Sequence, residues 1–159
     1  MIKSINLWVP GTPATAGSKK PFTFRDKKTG KIRALMAPDS KRQKPWMAKV
    51  SVVAMENYKA APLRGYITLR VDFCFARPKS HYGSGKNHDQ VKPSAPRYHT
   101  QKPDLDKLLR AAMDAMTGIV WHDDCQIVRY EDVRKFWVTG RPGAAIWIEW
   151  EEKDHGNKL

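Results

Sequence analysis

Apolar residues first recur with a period of two. From Ile2 to Val9, Ile5, Leu7 and Val9 fall on one side before Pro10-Gly11-Thr12-Pro13 stops the run, which predicts a first strand. Lys19 to Arg33 is basic, with Phe22 and Phe24 alternating and Lys28-Thr29-Gly30 as a turn, and reads as a hairpin or loop. The period then changes. Trp46, Val50, Val53, Ala54 and Tyr58 are spaced for a helix over about 44–58, and Pro45 suits its first turn. Tyr66 to Phe75 is the clearest strand: Ile67, Leu69, Val71, Phe73 and Phe75 share one face, and Thr68, Arg70 and Asp72 share the other.

Beyond that strand the pattern lapses. Arg77 to Pro103 is rich in Pro, Gly, Ser and His, carries six Lys/Arg against one Asp, and has too few apolar residues for a core of its own. It is longer than an ordinary connection, so it is expected to be a mobile functional loop or a disordered insertion that orders on a phosphate backbone. Helical spacing returns over Asp104 to Met116 through Leu105, Leu108, Leu109, Ala112, Met113 and Met116, with Gly118 as the stop. A tight connection over Ile119 to Cys125 precedes two strands, Gln126 to Val138 and Ala144 to Trp150, joined by a turn at 139–143. The order β, hairpin, α, β, long loop, α, β, β predicts an α+β domain in which two main helices pack on a mixed sheet.

A length of 159 residues implies one domain, and 41% apolar content is enough to give it a core. No run approaches a membrane span and no export signal is visible, while Cys74 and Cys125 lack any metal or disulfide spacing. A cytoplasmic protein without membrane association is the expectation. Charge narrows the partner: 29 Lys+Arg against 16 Asp+Glu gives a net +13, which favours nucleic acid. Lys19, Lys20, Arg25, Lys79, Lys86, Arg97 and Lys102 are the candidate phosphate contacts. Tyr82 and Tyr98, with Phe22 and Phe24, lie inside the basic stretches, where aromatic rings stack on unpaired bases or simply pack.

Against this positive background the acids concentrate at Asp104, Asp106, Asp114, Asp123 and Asp124. Carboxylates beside a phosphate-binding face repel the ligand unless a cation intervenes, and a hard divalent ion such as magnesium or manganese suits oxygen ligands. A pocket between helix start and strand start would use both Asp104/Asp106 and Asp123/Asp124. Helix capping is the competing account for Asp104 and Asp106, and Asp106, Arg110 and Asp114 also fit a surface charge ladder.

Pro103-Asp104-Leu105-Asp106-Lys107-Leu108-Leu109-Arg110, running on to Asp114-Ala115-Met116, and then Asp123-Asp124-Cys125-Gln126-Ile127, resemble the RusA family of Holliday-junction endonucleases. That family carries D-L-D-N-L-x-K-x-x-x-D-A-L on a helix and then D-D-x-Q-V, and both elements occur here in order over roughly residues 103–128. The resemblance implies a magnesium-dependent endonuclease, with manganese as a substitute, that acts on branched DNA as a homodimer without ATP. By position it implies Asp104, Asp106 and Asp124 as catalytic metal ligands, with Asp123 and Asp114 in less defined roles. Two departures stand out: Lys107 replaces the family's Asn, and Arg110 replaces its Lys. Arg110 keeps the charge but is a poor proton donor, so an acid role is vacant or falls to Lys107. The long basic segment suggests a phage-type relative. The alternative function is a non-catalytic, structure-specific nucleic-acid-binding regulator on the same fold. A His-Asn-His site from His81, His88 and His99 has weak support, because its expected spacing is absent.

Overall fold

Strand β4 (Ile67–Ala76) is apolar on one whole face, so it is stable only with neighbours on both edges and a layer against that face. The computed structural model gives it both. It describes the backbone of residues 1–15, 19–25, 32–38 and 43–152, and side chains within 1–15 and 45–152. A four-stranded sheet runs in the order β1 (Ile2–Pro10), β6 (Gly143–Glu151), β4, β5 (Ile127–Val138). β6 lies antiparallel to both β1 and β4, and β5 lies parallel to β4. Such a parallel pair needs a crossover, which is the path through the long segment and helix α2 (Leu105–Met116).

Helices α1 (Gln43–Asn57) and α2 cover the apolar face. Small residues let them approach closely: Ala54 of α1 and Ala111, Ala112 and Ala115 of α2 are buried, and the Ser51 hydroxyl donates to the Ala115 carbonyl at 2.8 Å. The core gathers Leu7, Val9, Val50, Leu69, Phe73, Leu108, Ile146, Ile148 and Trp121. Each large apolar side chain removed from water there contributes about 1.5–3 kcal/mol. The α+β architecture and element order follow the sequence pattern closely.

One element differs in detail. The hairpin is present as β2 (Lys19–Arg25) and β3 (Ile32–Pro38), paired from Lys19↔Pro38 to Arg25↔Ile32, so its second strand extends past Arg33. Ala34-Leu35-Met36-Ala37 has no period-two alternation to announce a strand, and pairing with β2 decides it. After α2, Gly118 takes φ +80°, a backbone conformation that favours glycine and stops the helix.

Part of the segment from Arg77 to Pro103 packs on the sheet. Residues 97–99 run antiparallel along the edge of β5: Trp137 N–H donates to the Arg97 carbonyl, and His99 N–H to that of Lys135. His99 is buried against Phe75 and Trp137, with ring centroids 4.2 Å from each. Farther out, Tyr82 bridges Val91, and a Cβ on Gly83 would lie 2.6 Å from the Asn87 carbonyl oxygen. Residues 97–99 cover only the C-terminal half of the β5 edge. Val128 and Tyr130 in its other half are exposed, whereas Ala144, Ile146 and Ile148 of β6 belong to the core.

Candidate active site

Asp104 is the N-cap residue of α2 by backbone conformation, yet its side chain makes no capping hydrogen bond. Capping therefore does not account for this carboxylate. Its oxygen instead meets Lys107 Nζ at 3.0 Å, and Lys107, with help from Lys102 and Lys135, holds the Asp104 carboxyl below the usual carboxylate range. The same contact pushes the Lys107 ammonium up. Asp106, one turn-position on, is exposed and opens on a shallow depression of about 600 Å³ lined by Leu105, Leu109, Tyr130 and Val133 with Glu131 and Asp132.

Lys135 was not among the candidates read from sequence. From β5 its ammonium donates to the carbonyls of Gln101 at 2.8 Å and Pro103 at 2.7 Å, clamping the turn that delivers Asp104. No linear motif contains it, since it is brought there by the pairing of residues 97–99 with β5.

At the other end of α2 stands Asp124. Its Oδ1 accepts from Nε1 of the fully buried Trp121 at 2.8 Å and from the Thr117 hydroxyl. Both donors occupy one oxygen, which fixes the carboxylate plane. Partial burial, reinforced by the nearby Asp124 charge, pushes the Asp114 carboxyl up, while Arg110, at 4.0 Å, pulls it down. Arg110 thus accompanies the Asp114/Asp124 end, and Lys107 accompanies Asp104.

Asp123 has a local task. Its Oδ1 accepts from Cys125 N–H at 2.9 Å, capping the 3₁₀ turn Asp124–Gln126, and that bond holds its carboxyl low. Gln126 completes the turn: its Oε1 accepts from the backbone N–H of His122 and Asp123, and its Nε2 donates to the carbonyls of Leu63 and Gly65. The D-D-x-Q element is therefore a frame that presents Asp124.

Among the described residues the two acidic pairs are not gathered into one pocket. Asp106 and Asp114 are eight residues apart on α2, roughly 12 Å of helix rise, and Asp124 sits at the Asp114 end. Coordinating oxygens of one magnesium ion lie at most about 4 Å apart. Among the described residues no group of three or more His, Cys, Asp or Glu is placed to hold one ion. The donor type suits a hard cation, but the grouping is two carboxylates at each end of the helix.

Of the candidate phosphate contacts, Lys79, Lys86, Arg97 and Lys102 are exposed on the segment that precedes α2. Lys19, Lys20 and Arg25 sit on β2, and their side chains lie outside the described residues, as do those of Phe22 and Phe24. The histidines have separate surroundings: His81 packs edge-on to Trp137 beside Arg77, His88 Nδ1 lies 3.0 Å from the Gly85 carbonyl, and His99 is buried. No helix among the described residues is long and apolar enough to cross a membrane.

The acid-bearing helix α2 is set among exposed cations, and a family model described as endodeoxyribonuclease RusA matches residues 10–149. The class is that of a DNA-cutting enzyme. The chain belongs to the RusA family, which implies Holliday-junction endonuclease activity. No curated protein matches it.

Proposed function

We propose that the protein resolves Holliday junctions or closely related branched DNA by paired, magnesium-dependent phosphodiester hydrolysis, working as a homodimer. The observation that carries this reading is the pair of oriented carboxylate groups at the two ends of α2 in a chain of net charge +13. Asp104, Asp106 and Asp124 are the metal-holding residues in this reading, and Asp123 supports Asp124 by capping its turn. A bound magnesium ion supplies Lewis-acid activation of water and offsets charge on the phosphate. Lys107 and Arg110 add fixed positive charge along the same helix, Arg110 as a permanently protonated fork suited to a phosphate. Water attacking in line with the 3′-oxygen would break the P–O3′ bond and leave a 5′-phosphate and a 3′-hydroxyl.

The separation of the acids supports a dimer. The uncovered half of the β5 edge, with Val128 and Tyr130 exposed, adjoins the depression at Leu105, Leu109 and Val133. An unpaired strand edge beside apolar surface suits a second copy, and a two-fold axis there would run the two α2 helices in opposite directions. The Asp104/Asp106 end of one protomer would then approach the Asp124 end of its partner. Two such sites match the two opposing cuts a four-way junction needs. Cytoplasmic location and independence of ATP belong to the same reading.

The test is cleavage of end-labelled four-way, three-way and linear DNA by wild type and Asp106→Asn, each with Mg²⁺ and with EDTA. Symmetric, magnesium-dependent cuts on the four-way substrate that disappear in the variant are expected. Tight junction binding with every substrate left uncut by the wild type would overturn the reading in favour of the non-catalytic binding protein.

A further inference from the structure

We propose that Tyr98, backed by Phe136 and flanked by Arg97, is a platform on which an unpaired DNA base stacks next to the acidic helix start. The inference deepens the branched-DNA reading above and rests on it for the identity of the ligand.

The stack is built from both sides of the β5 edge. Tyr98 and Phe136 face each other across the antiparallel bridge, with ring centroids 5.2 Å apart and planes 27° from parallel. Phe136 is also met by the Arg134 guanidinium, 4.8 Å from its centroid, and Arg134 is held by a two-pronged ion pair to the largely buried Asp72 at 2.8 and 2.9 Å. Phe136 is thus a fixed base with its neighbours in place. Tyr98 keeps 49% of its surface exposed, although ring packing alone would favour burying it. Arg97 lies 5.5 Å from both ring centroids, is exposed, and forms no ion pair among the described residues.

A flat, half-exposed ring on a rigid support, with an unpaired guanidinium beside it, offers a π face to a base and a cation to the adjoining phosphate. A branch point supplies bases that are not fully stacked. Position links the platform to the acids: Tyr98 and Asp104 are six residues apart, at most about 21 Å of chain. Lys135, the residue before Phe136, clamps the carbonyls just ahead of Asp104. Successive residues of a strand point to opposite faces, so residues 97–104 wrap the β5 edge from the platform to the helix start. At 3.4 Å per nucleotide, a stacked base and a phosphate at Asp104 fall within about six nucleotides of one another.

The experiment uses four-way junctions with 2-aminopurine at each branch-point position, and a linear duplex control, bound in EDTA by the full-length protein. Wild type is expected to quench 2-aminopurine at one branch position. Tyr98→Ala should abolish that quench and weaken junction binding about 5- to 150-fold with duplex binding unchanged, while Tyr98→Phe behaves as wild type. Tyr98→Leu keeps apolar contact with Phe136 but lacks the π face, so it should match the Ala variant in fluorescence while folding normally. Arg97→Gln should lower the salt slope of binding by about one. Wild-type quenching in the Leu variant, or an equal loss on junction and duplex, would overturn the proposal. Because binding in EDTA needs no cleavage, quenching without any magnesium-dependent cutting would sink the nuclease reading and leave the platform standing.

Discussion

Trp121 Nε1 donates to Asp124 Oδ1 at 2.8 Å, so a side chain sealed in the core aims a carboxylate at the surface. Thr117 binds the same oxygen. The second oxygen accepts no hydrogen bond among the described residues. Trp121→Phe keeps most of the buried volume but removes the donor, and Asp124 loses its fixed plane. Partners that orient a metal ligand typically matter 10- to 100-fold. Single-turnover cleavage should fall by about that factor, with the Mg²⁺ requirement shifted upward and junction binding in EDTA unchanged. Unaltered magnesium dependence would place Asp124 outside the metal site.

Gln126 makes four hydrogen bonds that tie the Asp123-Asp124 turn to the chain at 63–65. Gln126→Glu can still accept from His122 and Asp123 N–H but cannot donate to the Leu63 and Gly65 carbonyls. Two lost bonds at about 1 kcal/mol each predict a destabilisation of about 2 kcal/mol, read as a shift in the urea midpoint at unchanged slope. Gln126→Ala, which loses all four, should be worse.

Strands β1 and β4 and helix α2 were legible because each carries its period within ten or so residues, and the D-L-D and D-D-x-Q elements were legible as linear patterns. What each aspartate does was not. Asp123 and Asp124 are adjacent and chemically identical, yet one caps a turn and the other is aimed by Trp121 and Thr117, a difference set by three-dimensional neighbours. Asp114 makes the ladder contact to Arg110 that the spacing predicts, but the neighbouring Asp124 charge, brought by the turn after α2, was not legible. The order in residues 77–103 was hidden for a related reason: its apolar partners Phe75, Phe136 and Trp137 belong to strands before and after it.

Lys135 links that segment to the helix start by donating to the carbonyls of Gln101 and Pro103. Lys135→Met leaves both carbonyls without their charged donor and releases the turn that delivers Asp104. Cleavage is expected to fall at least 10-fold with little change in junction affinity, because the exposed candidate phosphate contacts Lys79, Lys86 and Arg97 remain. Lys135→Arg should recover part of the loss. A variant that instead loses binding and cleavage in parallel would assign Lys135 to phosphate contact rather than to positioning.

His99 gives the fold a pH dependence of known sign. Its ring is buried between Phe75 and Trp137, its Nδ1 has no hydrogen-bond partner among the described residues, and burial, reinforced by the Lys135 charge, pushes its pKa below the ordinary histidine value. The unfolded chain takes up the proton first as pH drops through about 6.5, so the neutral ring's contribution is complete above that pH and is lost progressively below it, down to the folded-state pKa. One proton sets the limit at about 1.4 kcal/mol per pH unit. Thermal melting of the wild type should therefore fall between pH 7.5 and 5.5 more than that of His99→Phe, which fills the same aromatic slot without titrating. The loss should appear first at the 97–99 strand, as faster amide exchange at His99 and Trp137, whose N–H groups hold that strand to β5. Parallel melting curves for the two proteins across this range would show that His99 takes up its proton as readily in the folded as in the unfolded chain.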